Sequence, residues 1–162
     1  MSFRIGYGED IHVFAPGRKL ILGAVTIPDH DGLLGHSDAD VVLHALADAL
    51  LGAIAEGDIG RLFPDDDPST EGIDSSLILG VCYAKVRQKG YVLSNADIHV
   101  VAEQPKLAPY IEKMREGIAA LLKTEAANIG LTAGTNEKLG DLGRGLGIKA
   151  TAVVLLERKE ND

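Results

Sequence analysis

His36-Ser37-Asp38-Ala39-Asp40-Val41-Val42-Leu43-His44-Ala45-Leu46-Ala47-Asp48-Ala49-Leu50-Leu51 is the stretch from which the fold is read. Ser37-Asp38-Ala39-Asp40 has the capping-box pattern, with a hydroxyl followed three residues later by an acid, so Ser37 is expected to cap a helix. Val42, Leu46, Ala49, Leu50 and Ala53 then recur at helical spacing. The spacing predicts a helix, with His44 at its surface.

Working outward, residues 3–13 read as an extended segment interrupted by glycines, and 19–28 as a second strand. Pro28-Asp29-His30-Asp31-Gly32 reads as the turn after it. Beyond the helix, Phe63-Pro64-Asp65-Asp66-Asp67-Pro68 is an acidic loop too rich in proline to be regular. Residues 74–89 predict a helix closed by Gly90, and 96–103 alternate as a strand. Pro109 suits the first turn of a third helix striped by Ile111, Met114, Ile118 and Leu121. Two further strands, 128–135 and 147–157, flank a glycine-rich stretch. The expectation is a single domain over 1–162, α/β (α+β) in class, with helices packed on a mixed β-sheet.

Composition narrows the function. The chain has 162 residues, 46% hydrophobic and 25% charged, which is the balance of a folded domain. Sixteen Lys and Arg against 24 Asp and Glu leave a net charge of −8, the wrong sign for a nucleic-acid binder that works by releasing counterions. A small anion remains within reach, because local lysines, backbone N–H groups or a metal hold phosphate even on an acidic protein. One cysteine, Cys82, leaves no partner for an intrachain disulfide and no cysteine zinc cage. Without an apolar leader or a membrane-length apolar run, a soluble cytoplasmic (bacterial) or plastid-type stromal protein is expected, with no membrane partner.

Asp10 and His12 are two residues apart in an extended segment, so both side chains leave the same face and can share a cation. His44 has Asp40 and Asp48 four residues to either side, a spacing at which a carboxylate can support a ligating imidazole. Asp10, His12 and His44 together would make a His₂Asp set with an open fourth position, the form of a catalytic zinc. His36 precedes the helix start, where backbone N–H groups favour an anion. Each feature alone has a plainer reading. Asp-x-His is short and common, a helix histidine can simply bond to Asp48, and glycines 140, 143, 145 and 147 can serve turns only. From the residues alone, the chain is an α/β domain with candidate metal and phosphate sites.

Further motifs sit in order along the chain: Gly8-Glu9-Asp10-Ile11-His12, Leu34-Gly35-His36-Ser37-Asp38-Ala39-Asp40, Gly57-Asp58-Ile59-Gly60 and Phe63-Pro64-Asp65. They continue with Gln104-Pro105-Lys106-Leu107, Thr135-Asn136-Glu137-Lys138-Leu139-Gly140 and Gly143-Arg144-Gly145. Over residues 4 to about 157, this series resembles the 2-C-methyl-D-erythritol 2,4-cyclodiphosphate synthase family of non-mevalonate isoprenoid synthesis. The resemblance implies a homotrimer with active sites at subunit interfaces. It also implies a metal-dependent lyase reaction that closes 4-diphosphocytidyl-2-C-methyl-D-erythritol 2-phosphate into the cyclic diphosphate and releases CMP.

By motif position, the resemblance gives Asp10, His12 and His44 one Zn2+ per subunit, and gives Glu137 a Mg2+ or Mn2+ bridging the diphosphate. His36 and Thr135 would stabilise the transition state. Ser37, Asp58, Ile59, Gly60, Phe63, Pro64, Asp65, Asp66 and Asp67, with Asp10, His12 and His36, would contact the methylerythritol phosphate part. Ala102, Lys106, Leu107, Ala108, Gly134, Thr135, Asn136 and Glu137 would form the cytidine and diphosphate pocket, and Arg144 would reach phosphate. Some relatives carry a fused cytidylyltransferase, so association with one is a further expectation. Gly134 and Asp141 depart from the family pattern, and an aspartate at 141 calls for pairing with Arg144, hydration or protonation.

Overall fold

A computed structural model describes residues 2–159. Five strands, β1 (Phe3–Leu22), β2 (Val25–Leu33), β3 (Tyr91–Val101), β4 (Ile129–Gly134) and β5 (Gly147–Arg158), form one sheet in the order β2-β1-β5-β3-β4. The β3–β4 pair is parallel and the other pairs are antiparallel. The sheet is therefore mixed, and the class is α+β. The helices are α1 (Val41–Ala53), a short α2 (Ile59–Leu62), α3 (Ser75–Gln88), α4 (Ile111–Leu121) and a short α5 (Gly140–Gly143).

The first hairpin differs from its sequence reading. β1 continues through residues 14–18, with a bulge between Ala15 and Lys19, and the chain reverses at Gly23 and Ala24, both at positive φ. Pro28–Gly32, expected to turn, lies inside β2, which pairs from Leu22–Val25 out to Phe14–Leu33. A proline is tolerated there because β2 is the sheet's edge strand, where a missing N–H goes unused.

Helix α1 begins later than the capping box suggests. Asp40, not Ser37, is the N-cap: its Oδ1 accepts Leu43 N–H at 3.1 Å and Gly23 N–H at 2.9 Å, and its Oδ2 accepts Ala24 N–H at 2.7 Å. One buried carboxylate thus caps the helix and closes the β1–β2 turn. Burial pushes its pKa up to about 6, against the lowering effect of those three bonds. Nor is α1 a surface helix. All of it except Asp48 and Gly52 is buried, His44 included.

That burial follows from how closely α1 lies on β1. Gly6 and Gly8 face the helix, and a Cβ on Gly6 would sit 1.8 Å from the Ala49 carbonyl oxygen, one on Gly8 2.2 Å from that of Ala45. Opposite them the helix carries Ala45, Ala49 and Ala53, so backbone meets backbone. Two strand residues advance about 6.6 Å and four helix residues about 6 Å. The contacts Gly6–Ala49 and Gly8–Ala45 therefore stay in step, and beyond them along β1 the side chains of Asp10 and His12 meet that of His44, the residue before Ala45.

Helices α3 and α4 fill the same side of the sheet. Ile78, Leu79, Cys82 and Val86 of α3 and Met114 and Ile118 of α4 are buried with Ile98, Val100, Ala150, Ala152, Val154 and Leu156. The predicted α4 stripe is present, with Ile111 and Leu121 partly buried at its ends. The opposite sheet face leaves Phe3, Ile5, Tyr7, Ile11 and Val13 of β1 exposed, together with Val153 of β5. No helix among the described residues is long and apolar enough to cross a membrane.

Candidate active site

Asp10 and His12 project from β1 toward α1, where His44 meets them, and one donor atom from each lies within 4.8 Å of the others. Asp10 Oδ2 is 2.8 Å from His12 Nε2 and 3.1 Å from His44 Nδ1. The His12 nitrogen is buried and has no hydrogen-bond partner, because the short approach to Asp10 is not directed along an N–H···O line. A buried nitrogen lone pair aimed at a shared centre, beside a second imidazole and a carboxylate, is the donor set of a divalent cation with one position left open. The residues fit such an ion. Burial works to raise the Asp10 pKa, but the two histidines outweigh it and hold the carboxyl below its ordinary value. Contact with Asp10 correspondingly raises the pKa of His12 against the opposing effect of burial.

Support for His44 comes from an unexpected side. Asp40 is spent on the cap, and Asp48 accepts Ile59 N–H at 2.8 Å, so neither flanking acid orients the ring. Burial raises the Asp48 pKa. Instead His44 Nε2 lies 2.8 Å from Ser75 Oγ and 3.1 Å from Ser37 Oγ. Ser75, at the start of α3, is fully buried, and its hydroxyl bonds to Asp38. Because Ser75 is thirty-one residues from His44, no local spacing could have flagged it.

The triad sits in a cleft of about 210 Å³ that His36, Ser37, Ile59, Gly60, Phe63 and Asp65 also line. Asp48, Thr70, Ile73 and Ile78 complete its wall, and no motif in the sequence marks them for it. His36 Nε2 donates to the Asp67 carbonyl at 2.9 Å. A carbonyl only accepts, so Nε2 carries a proton. Arg18 fixes the segment that carries His36 by donating to the carbonyls on either side, Gly35 at 2.9 Å and Ser37 at 2.6 Å. The Asp58 side chain caps α2, and Pro64 and Asp66 are exposed outside this lining.

The other predicted residues lie elsewhere on the subunit. Ala102, Lys106, Leu107, Ala108, Gly134 and Thr135 line a separate, open cavity of about 390 Å³. Arg144 belongs to a third, with Lys138 and Glu103, and is bonded to the exposed Asp141. Asn136 and Glu137 form the turn after β4, with Glu137 at φ 51° and its N–H on Thr135 Oγ1 at 3.2 Å. Glu103 organises that turn by accepting N–H bonds from Asn136 at 3.0 Å and Lys138 at 3.1 Å. One chain therefore brings Asp10, His12, His36, Ser37 and His44 together, but not Thr135 or Glu137 with them.

Comparison with known proteins places this arrangement. The YgbB family model matches residues 3–157. The 2-C-methyl-D-erythritol 2,4-cyclodiphosphate synthase of Geobacillus kaustophilus is 58% identical over 96% of this chain and 99% of its own. That of Bacillus cereus is 55% identical over 97% of this chain and 99% of its own. Among solved structures, Plasmodium falciparum IspF in complex with CDP superposes with a TM-score of 0.85 at 33% identity, covering 98% of both chains. The bifunctional IspDF of Campylobacter jejuni superposes at 0.94 with 40% identity over 98% of this chain, which spans 43% of that longer protein. With its motifs, its fold and nearly its whole length shared with these proteins, the chain belongs to the YgbB family, that of the 2-C-methyl-D-erythritol 2,4-cyclodiphosphate synthases.

Proposed function

We propose that this chain converts 4-diphosphocytidyl-2-C-methyl-D-erythritol 2-phosphate to 2-C-methyl-D-erythritol 2,4-cyclodiphosphate with release of CMP, as a metal-dependent phosphorus–oxygen lyase. The observation that carries the reading is the convergence of Asp10, His12 and His44 at the end of the His36–Ser37 cleft, with His12 Nε2 left unpartnered. The nucleophile in this reaction is a phosphate that is already anionic, so no strong base is required. The difficulty is to bring two anions together and to stabilise the charge that develops at the attacked phosphorus.

Asp10, His12 and His44 would hold zinc and Glu137 magnesium or manganese; when bound, such cations offset charge on the diphosphate oxygens and orient the leaving group. The chain's own groups do the rest. His36, anchored through Nε2, and Thr135, whose oxygen already accepts the Glu137 N–H, would act as transition-state stabilisers. Ser37 with the 58–60 and 63–67 loops binds the methylerythritol phosphate end. Ala102, Lys106–Ala108 and Gly134–Glu137 bind the cytidine and diphosphate end, and Arg144 reaches phosphate. Folding the substrate between these two ends supplies proximity, worth about 7–11 kcal/mol in favourable systems.

A homotrimer accounts for two features of the subunit. The apolar sheet face of Phe3, Ile5, Tyr7, Ile11, Val13 and Val153 needs cover. The two halves of the expected site lie in separate cavities of one chain, and a neighbouring copy would join them. The one domain, residues 1–162, works in the cytoplasm on this reading. Phosphorus NMR of the purified protein with the cytidyl substrate, zinc and magnesium tests it. The expected result is the cyclic diphosphate with an equal amount of CMP, whereas a linear phosphate product would make the protein a hydrolase and overturn the proposal.

A further inference from the structure

The hydrogen bonds behind His44 have a direction, and the direction has a consequence for the metal. Asp38 accepts three of them: Asp40 N–H at 3.1 Å, Ser75 N–H at 3.1 Å and the Ser75 hydroxyl. A carboxylate surrounded by donors has no proton to give, so the single Ser75 hydroxyl proton points at Asp38. Ser75 Oγ then faces His44 Nε2, 2.8 Å away, with lone pairs only. The bond forms only if Nε2 carries the hydrogen. With Nε2 committed in this way, Nδ1 is the ring nitrogen free to ligate a metal. His44 Nδ1 meets Asp10 Oδ2 at 3.1 Å, beside the unpartnered His12 Nε2. These three atoms converge on one centre, where a cation can take the place of the histidine protons.

We infer that Ser75 and Asp38 are positioning residues which lock His44 in the tautomer that presents Nδ1 to the cation. The relay runs Asp38 carboxylate, Ser75 hydroxyl, His44 imidazole, metal. It stands in for the direct carboxylate–histidine contact that supports many metal sites. It also frees Ser37. With the Nε2–H committed to the nearer Ser75, the Ser37 oxygen accepts the Ala39 N–H at 3.0 Å and keeps its own proton for a ligand in the cleft. This inference rests on the metal-centre reading above and assigns residues of α3 and of the loop before α1 to that centre.

The test uses Ser75→Ala and Ser75→Cys. Both keep the residue 75 N–H that docks α3 on Asp38, and the cysteine keeps side-chain bulk while giving up a strong acceptor. Zinc affinity is read by competition with a chromophoric chelator, and thermal unfolding of the metal-free proteins is read beside it. Both variants are expected to bind zinc about 10–100-fold more weakly than wild type, with wild-type-like unfolding. Unchanged affinity in Ser75→Ala, or full affinity in Ser75→Cys, would overturn the relay, the latter by showing that bulk alone matters. If a variant fails to fold, ¹⁵N-histidine NMR of wild-type zinc protein decides: a proton on His44 Nε2 supports the relay and one on Nδ1 refutes it. A wild type that binds no zinc would refute the metal-centre reading itself, an outcome distinct from any of these.

Discussion

Gly8→Ala adds one methyl group at the point where α1 lies closest to the metal ligands. The new Cβ would stand 2.2 Å from the Ala45 carbonyl oxygen and 2.6 Å from Ala49 N, both backbone atoms that cannot rotate aside. Contacts under 3.0 Å are essentially never found, so helix and strand must separate by at least about 0.8 Å at this level. His44 is one residue from Ala45, and its Nδ1 lies only 3.1 Å from Asp10 Oδ2. Functional constellations tolerate about 0.5 Å of displacement. The substitution is therefore expected to cost about 1–3 kcal/mol of stability through overpacking. It should also lower turnover, by up to about a hundredfold for a shift near 1 Å, with weaker zinc binding. Gly80→Ala is the control. Gly80 sits in α3 with no heavy atom near its Cβ position, so alanine there should add about 0.5–1 kcal/mol and leave zinc affinity alone. Urea unfolding of the metal-free proteins and zinc titration read both effects. A Gly8→Ala protein as stable as wild type, or one destabilised yet binding zinc with full affinity, would refute the claim that glycine-mediated contact sets the ligand spacing.

Three other perturbations probe separate parts of the account. Asp40→Ala strands three backbone N–H groups, two of them in the β1–β2 turn, and should cost at least about 3 kcal/mol in urea unfolding; a loss near that of an ordinary surface cap would show that the turn does not depend on it. In the metal-free protein the raised His12 pKa makes its ion pair with Asp10 fully stabilising below pH 6.5, an effect lost as pH rises through the raised value. Zinc must displace that proton, so zinc affinity should rise with pH over the same interval, by at most about tenfold per pH unit for one proton; a flat profile from about pH 6 to 8.5 would contradict this. Arg18→Ala removes both bonds that hold the segment around His36 and should reduce turnover while zinc affinity stays at the wild-type level; unchanged turnover would mean that the segment holds its shape unaided.

What can be read from the sequence follows the range of the forces involved. The Asp10-x-His12 pair is legible because strand periodicity alone puts alternate residues on one face. The α1 helix is legible from its apolar spacing, but its burial is not. That depends on Gly6 and Gly8, which in a sequence look like interruptions of a strand and in the fold are where two backbones meet. The cap falls at Asp40 instead of Ser37 for a related reason. A hydroxyl and a carboxylate three residues apart are equally good local caps, and the choice is made by Gly23 and Ala24, which only Asp40 also reaches. A turn over residues 28–32 follows from proline and glycine content, whereas edge-strand position decides the outcome. Ser75 is invisible as a support for His44 because it reaches the site through the packing of α3 on α1.

The separation of Thr135 and Glu137 from the His12–His44 cleft in one chain has the same lesson for function. The motifs carry the chemistry in sequence order, but the subunit alone does not gather them into one cavity. On the trimer reading, the assembled protein is the catalytic unit, and the exposed apolar face of β1 is as much a part of the active site's construction as the ligands on its other side.

The most direct measurement is anomalous diffraction at the zinc edge from crystals grown with zinc. One zinc per subunit is expected between Asp10 Oδ2, His12 Nε2 and His44 Nδ1, with a fourth position open toward His36 and Ser37. Zinc bound through His44 Nε2, or at other residues with the triad left empty, would contradict the metal-centre reading.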